Sequence, residues 1–266
     1  MKRRIKHFLQ KKNLYYSLKY SRLFRLYQLL FKPAEIKEER REISFYRSFL
    51  PASKLIFDIG ANDGHKTQAF LSIAGKVICC EPDKQNFQLL QSRFRNNKEN
   101  VILENVALSD NEGTAVMHIH HPGSAFNTLS SKWKKVLEAD NIRRWDEPVA
   151  FSQQQTVETL TLDKLIGKYG VPDFIKIDVE GFEEHVLRGL THPIHYLSFE
   201  TLLPDYASEL QNCIRIIEAI DPSAVYNIAL HESLIFPGFI TRNELENWCK
   251  ENSHTPSFEV IVKMPV

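Results

Sequence analysis

Residues 54–75 read KLIFDIGANDGHKTQAFLSIAG, and this stretch decides the fold. A short apolar run ends at a turn holding Gly60 and Gly64, and a helical segment follows. Glycine permits the tight, positive-φ backbone that such a turn needs. Residues 76–97, KVICCEPDKQNFQLLQSRFRNN, repeat the plan as strand, acidic turn and helix. NVILENVALSD (100–110) reads as a third strand, and DFIKIDVEGFEEHVLRGL (173–190) as a fourth strand, turn and helix. HYLSFET (195–201) is a fifth strand before a helix over 206–220, and 224–230 and 257–264 are late strands. Strands alternating with helices predict a mostly parallel sheet covered on both faces. Right-handed crossovers make it an α/β, Rossmann-like doubly wound sheet. About fifty residues, roughly 110–160, break the alternation. They predict a strand pair, then a loop and a short helix near 130–140, serving as a substrate cap.

The chain has 266 residues, 43% hydrophobic and 25% charged, which excludes a disordered chain, a collagen-like repeat and a disulfide-stapled miniprotein. Its net charge of +1 conceals an asymmetry. Residues 1–50 carry fourteen Lys/Arg and four Asp/Glu, a net of +10, and the remainder carries −9. The predicted organisation is a basic helical N-terminal extension over 1–50 and a catalytic domain over 51–266. Within the extension, Tyr16, Tyr20, Leu23, Tyr27 and Leu30 recur at helical spacing, so 13–31 predicts an amphipathic helix ended by Pro33. A second helix is predicted near 35–50, with Ile36, Ile43, Tyr46 and Leu50 inward. Residues 1–32 suit peripheral contact with an anionic membrane. Packing on the acidic body, or on a second copy, suits them as well. Neither a secretory h-region nor an ~18-residue apolar span is seen. Cys79, Cys80, Cys213 and Cys249 lack metal-ligand spacing and predict reduced thiols, hence a cytoplasmic protein, with the arm able to touch the inner face of a membrane.

Ligands of doubly wound sheets bind outside the carboxyl ends of the strands. There the first strand offers Asp58, Gly60, Asn62, Asp63 and Gly64, and the second offers Glu81, twenty-three residues after Asp58. An acid at about that spacing accepts hydrogen bonds from ribose hydroxyls. G-x-G-x-x-G is missing, and Asp58 and Asp63 would repel a pyrophosphate. The pattern favours a phosphate-free, cationic adenosine ligand, S-adenosylmethionine, over NAD. Strands four and five end in Asp178, Glu180 and Glu200. If strand four continues, Asp178 and Glu180 share a face. Asp178 is the first choice for a polar contact at the reacting centre, and Glu180 and Glu200 are candidate bases. Glu180 has a plainer reading as support for the helix starting near Phe182. These carboxylates could hold Mg²⁺ or Ca²⁺, but no spacing demands it, and no metal is assigned. His118, His120 and His121 read as strand-edge or substrate-loop residues, with one a possible base. Trp133 and Trp145 read either as substrate walls or as the core of the cap.

FDIGANDGHKT (57–67), CCEPDKQNFQLLQ (79–91), NVALSDNEG (105–113), ETLTLDKLI (158–166), PDFIKIDVEGFEEHVLRG (172–189) and LSFE (197–200) together resemble the FkbM family of S-adenosylmethionine-dependent methyltransferases. The resemblance implies a glycine-turn motif on Asp58, Gly60, Asn62, Gly64 and Thr67, and a ribose acid on Glu81. It also implies an adenine-lining segment near Val106, Ala107 and Leu108, and an acidic block near the transferred methyl on Asp178 and Glu180. Asp63 stands where the family usually has an apolar residue. The expected activity is O-methylation of a glycan or small natural-product hydroxyl. Two other classes are a non-catalytic membrane-associated protein with a retained Rossmann fold, and an NAD-dependent oxidoreductase. Nucleic acid is not an expected partner, because the body's charge of −9 repels phosphate.

Overall fold

The computed structural model describes residues 27, 31–139, 148–255 and 257–265. The predicted helix over 13–31 and Trp145 therefore lie largely or wholly outside the described residues, although Tyr27 and Phe31 are described and helical.

Helix α1 (Pro33–Phe49) leads into β1 (Ser53–Ile59), α2 (His65–Phe70), β2 (Ala74–Cys80), α3 (Lys84–Arg93) and β3 (Val101–Glu104). Then come β4 (Ala107–Leu108), β5 (Gly113–Ile119), α4 (Ser131–Glu138), β6 (Gln153–Leu160), α5 (Leu162–Tyr169) and β7 (Phe174–Ile177). The chain closes with α6 (Glu183–Arg188), β8 (Tyr196–Thr201), α7 (Ala207–Ile220), β9 (Val225–Ala229), α8 (Arg242–Glu251) and β10 (Phe258–Lys263).

The main sheet has the order β3-β2-β1-β7-β8-β10-β9. All its pairings are parallel except those of β10, which runs antiparallel to β8 and β9. Strands β1, β2 and β7 end in runs of four buried residues because helices cover both faces. Phe57, Ile59, Ile175, Ile177, Leu197 and Phe199 face the apolar stripes of α5, α6, α7 and α8. On the other face, Ile56, Phe174, Tyr196 and Ile261 meet α1 and α2 through Phe45, Tyr46, Phe49 and Phe70. The order reverses between β1 and β7, which places the switch point at the carboxyl ends of these two strands.

Helix α1 runs antiparallel to β1, as its contacts show. At its far end, Arg47 donates to the carbonyl of Ser72 (2.8 Å), and the Phe49 ring meets Phe174 and Tyr196 at the starts of their strands. Two turns earlier, buried Glu42 pairs with Lys66 (2.5 Å) and His65 (3.1 Å), just past the glycine turn. Arg41 holds Glu232 at 2.8 Å in the loop after β9. The beginning of α1 therefore stands at the edge that carries the switch point.

Pro33 follows helical Phe31 and non-helical Lys32, as expected of a stop, and it also opens α1 at its first position, where its absent N–H costs nothing. Two sequence expectations change. The third strand divides at Asn105–Val106, so β3 stays in the main sheet while β4 joins a separate three-stranded sheet of order β4-β6-β5. The strand pair of the cap, β5 and β6, flanks the loop and α4 and does not precede them. No helix among the described residues is long and apolar enough to cross a membrane.

Candidate active site

The glycine turn forms because three chain segments crowd the end of β1. Gly60 has φ +83°, and a Cβ there would lie 1.8 Å from the carbonyl oxygen of Asp178. The absent side chain thus lets the turn after β1 press against the end of β7. A Cβ on Gly64 would strike Leu90 and Phe94 of the α3 segment at 2.6 Å. Between them, Asn62 takes φ 49°, and its side-chain oxygen accepts from Asn86 Nδ2 (2.9 Å). Asp63 points away, accepting from the backbone of His65 and pairing with Arg93 at 3.5 Å. This placement accommodates the acid where the resembling family has an apolar residue.

A cleft of about 640 Å³, its open mouth included, lies over the switch point. Of the predicted residues, Gly60, Asn62, Glu81, Ala107, Asp178 and Glu180 line it. Asp58, Thr67 and Gly64 do not; Asp58 and Thr67 are buried beneath the turn and hydrogen-bonded to each other. They hold the loop from below. Glu81 is 5% exposed, and its two oxygens accept from the amides of Asn62 (2.7 Å) and Asp83 (2.8 Å). Val106, Ala107, Leu108, Met117 and Phe182 supply apolar wall.

A smaller chamber adjoins the cleft. Asp178 and Glu180 belong to both, and Glu183, Glu200, Trp133 and Tyr206 complete the chamber's working surfaces. The three predicted catalytic carboxylates therefore meet, although not by strand alternation. Strand β7 stops at Ile177, and Glu180 sits at φ 56° in a turn with Gly181. The plainer reading of Glu180 as helix support belongs to Glu183, whose Oε1 accepts from the amides of Val179 (3.1 Å) and Gly181 (3.2 Å). Nothing in the sequence separated these two glutamates.

Fully buried Lys176 donates to Asp178 (3.0 Å) and stands 3.9 Å from Glu200. Burial pulls its pKa down, but Asp178, Glu259 and Glu200 outweigh burial and hold it charged. The carboxylate of Asp178, assisted by burial, lifts Glu200 to about 8. Burial, Asp178 and Glu200 push Glu180 well above the usual carboxylate range. One lysine thus serves several acids, and the chamber can take up a proton near neutral pH. Burial also lifts Glu81 to about 8, Glu183 to about 7 and Asp58 to about 6.

These shifts predict an unusual stability profile. A carboxyl whose pKa is raised by folding binds more protons folded than unfolded, so stability falls as pH rises between its two values. Here the window opens near the ordinary carboxyl value of 4.5 and closes near 8. We expect the ligand-free protein to lose on the order of 2–5 kcal/mol of unfolding free energy between about pH 5 and pH 8. Urea midpoints across that range check it, and a flat or rising profile contradicts the burial of these acids.

The cap closes over the cleft through three polar side chains, Asp83, Asn127 and Thr128. Asp83 caps α3 by accepting from Gln85 and Asn86, and its second oxygen accepts from Asn127 Nδ2 (2.9 Å). Thr128 donates to the carbonyl of Glu180 (2.7 Å). Asn127 and Thr128 therefore line the cleft and fasten the cap to both sides of it. Trp133 is 7% exposed and belongs both to the cap's apolar cluster and to the chamber wall. His118 contacts Ser131 and His120 contacts Ala150, outside the residues that line the cleft. Among the described residues, no His, Cys, Asp and Glu group is placed to hold a metal ion.

The family described as Methyltransferase FkbM domain matches residues 58–201, a span that includes all ten predicted site residues. No curated protein matches the chain significantly. Among solved structures, the methyltransferase FkbM from Methylobacillus flagellatus KT is similar at 17% identity and TM-score 0.50, covering 93% of this chain and 53% of that one. The chain thus spans about half the length of that protein. Precorrin-6y C5,15-methyltransferase from Geobacter metallireducens GS-15 is similar at 12% identity and TM-score 0.42, covering 85% of this chain and 86% of that one. Ribosomal protein L11 methylase from Lactobacillus delbrueckii subsp. bulgaricus gives 9% identity and TM-score 0.42, covering 86% and 77%.

Proposed function

The chain belongs to the FkbM methyltransferase family, and from that premise we propose that it methylates a hydroxyl of a glycan or small natural product, using S-adenosylmethionine. One observation carries this reading. A cleft at the switch point, with a buried acid and an apolar wall, shares Asp178 and Glu180 with a chamber of carboxylates poised to accept a proton.

The residues present fit the cofactor. Glu81 retains lone pairs for ribose hydroxyls after its two amide bonds, and Val106, Ala107 and Leu108 offer the apolar wall an adenine requires. Gly60 and Asn62 bring bare backbone to the cleft between the two ends. The cofactor supplies an electrophilic methyl group on a sulfonium. The protein's part is to place the acceptor oxygen and remove its proton. Glu200 and Glu180 are positioned for the proton, and Lys176 holds Asp178 in place beside them. Trp133 and Tyr206 give flat walls that suit a sugar ring or an extended natural product. The four cysteines carry no disulfide, which supports the reading of a reducing, cytoplasmic setting.

Calorimetric titration of the full chain with S-adenosylmethionine, S-adenosylhomocysteine and NADH tests the cofactor. We expect micromolar binding of the first two and none of the third. Glu81→Ala removes the carboxyl that would accept from the ribose hydroxyls and should weaken S-adenosylmethionine about 10–100-fold in a protein that stays folded. Unchanged affinity would remove Glu81 from the ribose site, and tight NADH binding would overturn the methyltransferase reading of this chain's cleft.

A further inference from the structure

The basic arm joins the body beside the active site. Residues 1–32 contain ten Lys/Arg and no Asp/Glu, whereas residues 51–266 carry a net of −9. Helix α1 is antiparallel to β1, so its first residues stand at the edge of the sheet that holds the cleft. The nine residue steps between Glu42 and Pro33 span roughly 13 Å of helix beyond the glycine-turn contacts. Just before Pro33, Tyr27 and Phe31 stack on each other with centroids 5.3 Å apart, and they remain 46% and 68% exposed. Basic residues interleaved with exposed aromatic rings match the headgroup region of a bilayer, where charge and ring are both favoured.

We propose that this arm docks the enzyme on an anionic membrane surface, with the mouth of the cleft turned toward the bilayer. A nucleic acid would satisfy the charge but not the apolar seam that the sequence period gives Tyr16, Tyr20, Leu23, Tyr27 and Leu30. In that orientation, acceptors displayed in the headgroup layer reach the chamber without leaving the membrane. This last consequence rests on the methyl-transfer reading; the docking does not.

Vesicle flotation of the full chain tests the docking. The probes are phosphatidylcholine vesicles and phosphatidylcholine vesicles containing about 30% phosphatidylglycerol, at low and physiological salt. We expect partition to the anionic vesicles only, weakened by salt. Gln at Lys2, Arg3, Arg4, Lys6, Lys11 and Lys12 together should lower that partition at least about 100-fold. S-adenosylmethionine affinity should be the same in both proteins, which separates failure of docking from failure of the cofactor assignment. An environment-sensitive label on Phe31→Cys should brighten on anionic vesicles, while the same label on Val171→Cys, at the opposite edge of the sheet, should not, the unsubstituted chain treated alike serving as background. No flotation at low salt, equal brightening at both sites, or tighter binding to a single-stranded RNA than to the vesicles would each overturn the proposal.

Discussion

Of Glu200→Gln and Glu180→Gln, made singly, the one that removes the base should lower the methyl-transfer rate by about 10²–10⁴-fold, the usual contribution of a positioned base. S-adenosylmethionine affinity should stay within about threefold, because Glu200 lies outside the cleft and Glu180 at its far wall. Glutamine keeps the shape and removes the proton-accepting charge, so the loss reports on chemistry more than on packing. The pH profile gives a second check. A base held near 8 is only partly ionised at neutral pH, so the rate should climb as pH rises toward 8 and then level off. In the variant lacking the true base, that limb should vanish. The other variant should retain the limb but with a lower midpoint, because removing one negative neighbour eases ionisation of the survivor. Full activity in both variants would show that the acceptor loses its proton elsewhere, and the chamber would then be a binding surface only.

Gly60→Ala should destabilise the protein by about 2–6 kcal/mol, with a positive-φ alanine and an overpacked contact each contributing. A methyl group 1.8 Å from the Asp178 carbonyl oxygen cannot be accommodated by rotating a side chain, since the obstacle is backbone. Either β1 and β7 part at their ends or the turn is rebuilt. Both outcomes displace Asp178 relative to Asn62, so whatever folds should bind S-adenosylmethionine at least about tenfold more weakly. Gly167→Ala is the control: nothing stands within 4 Å of its added carbon, it lies inside α5, and alanine there should be neutral or slightly stabilising. Urea midpoints of the two variants should therefore move in opposite directions or differ widely. Equal midpoints would mean that the close approach at Gly60 is not a structural requirement.

The elements that could be read from the sequence were those whose signal is local. Ile56–Ile59, Val77–Cys80 and Phe174–Ile177 are buried and so appear as short apolar runs, interrupted only by Asp58 and Lys176, beside turn residues. The carboxylates at strand ends follow from the same reading, because a doubly wound sheet places strand ends together. What escaped has partners distant in the chain. A two-residue strand such as β4 has no period to detect, and its transfer to the small sheet depends on β6, about fifty residues later. Glu183 and Glu180 are three positions apart in one acidic block, and only the turn at φ 56° decides which one braces the backbone and which faces the chamber. Buried Glu42 looks like any solvated helix glutamate until Lys66 and His65 fold against it. Pro33 is a helix signal of either sense, and it acts in both, following the break at Lys32 and opening α1.

The change of sheet at Asn105–Val106 ties the cleft to the cap. Ala107 and Leu108 form a wall of the cleft, yet they are also β4, hydrogen-bonded to the β6 strand of the cap sheet. A displacement of that wall is passed to the cap through one strand pair. Occupancy of the cleft and of the chamber beside it should therefore be thermodynamically linked, each changing the other's affinity by the same factor.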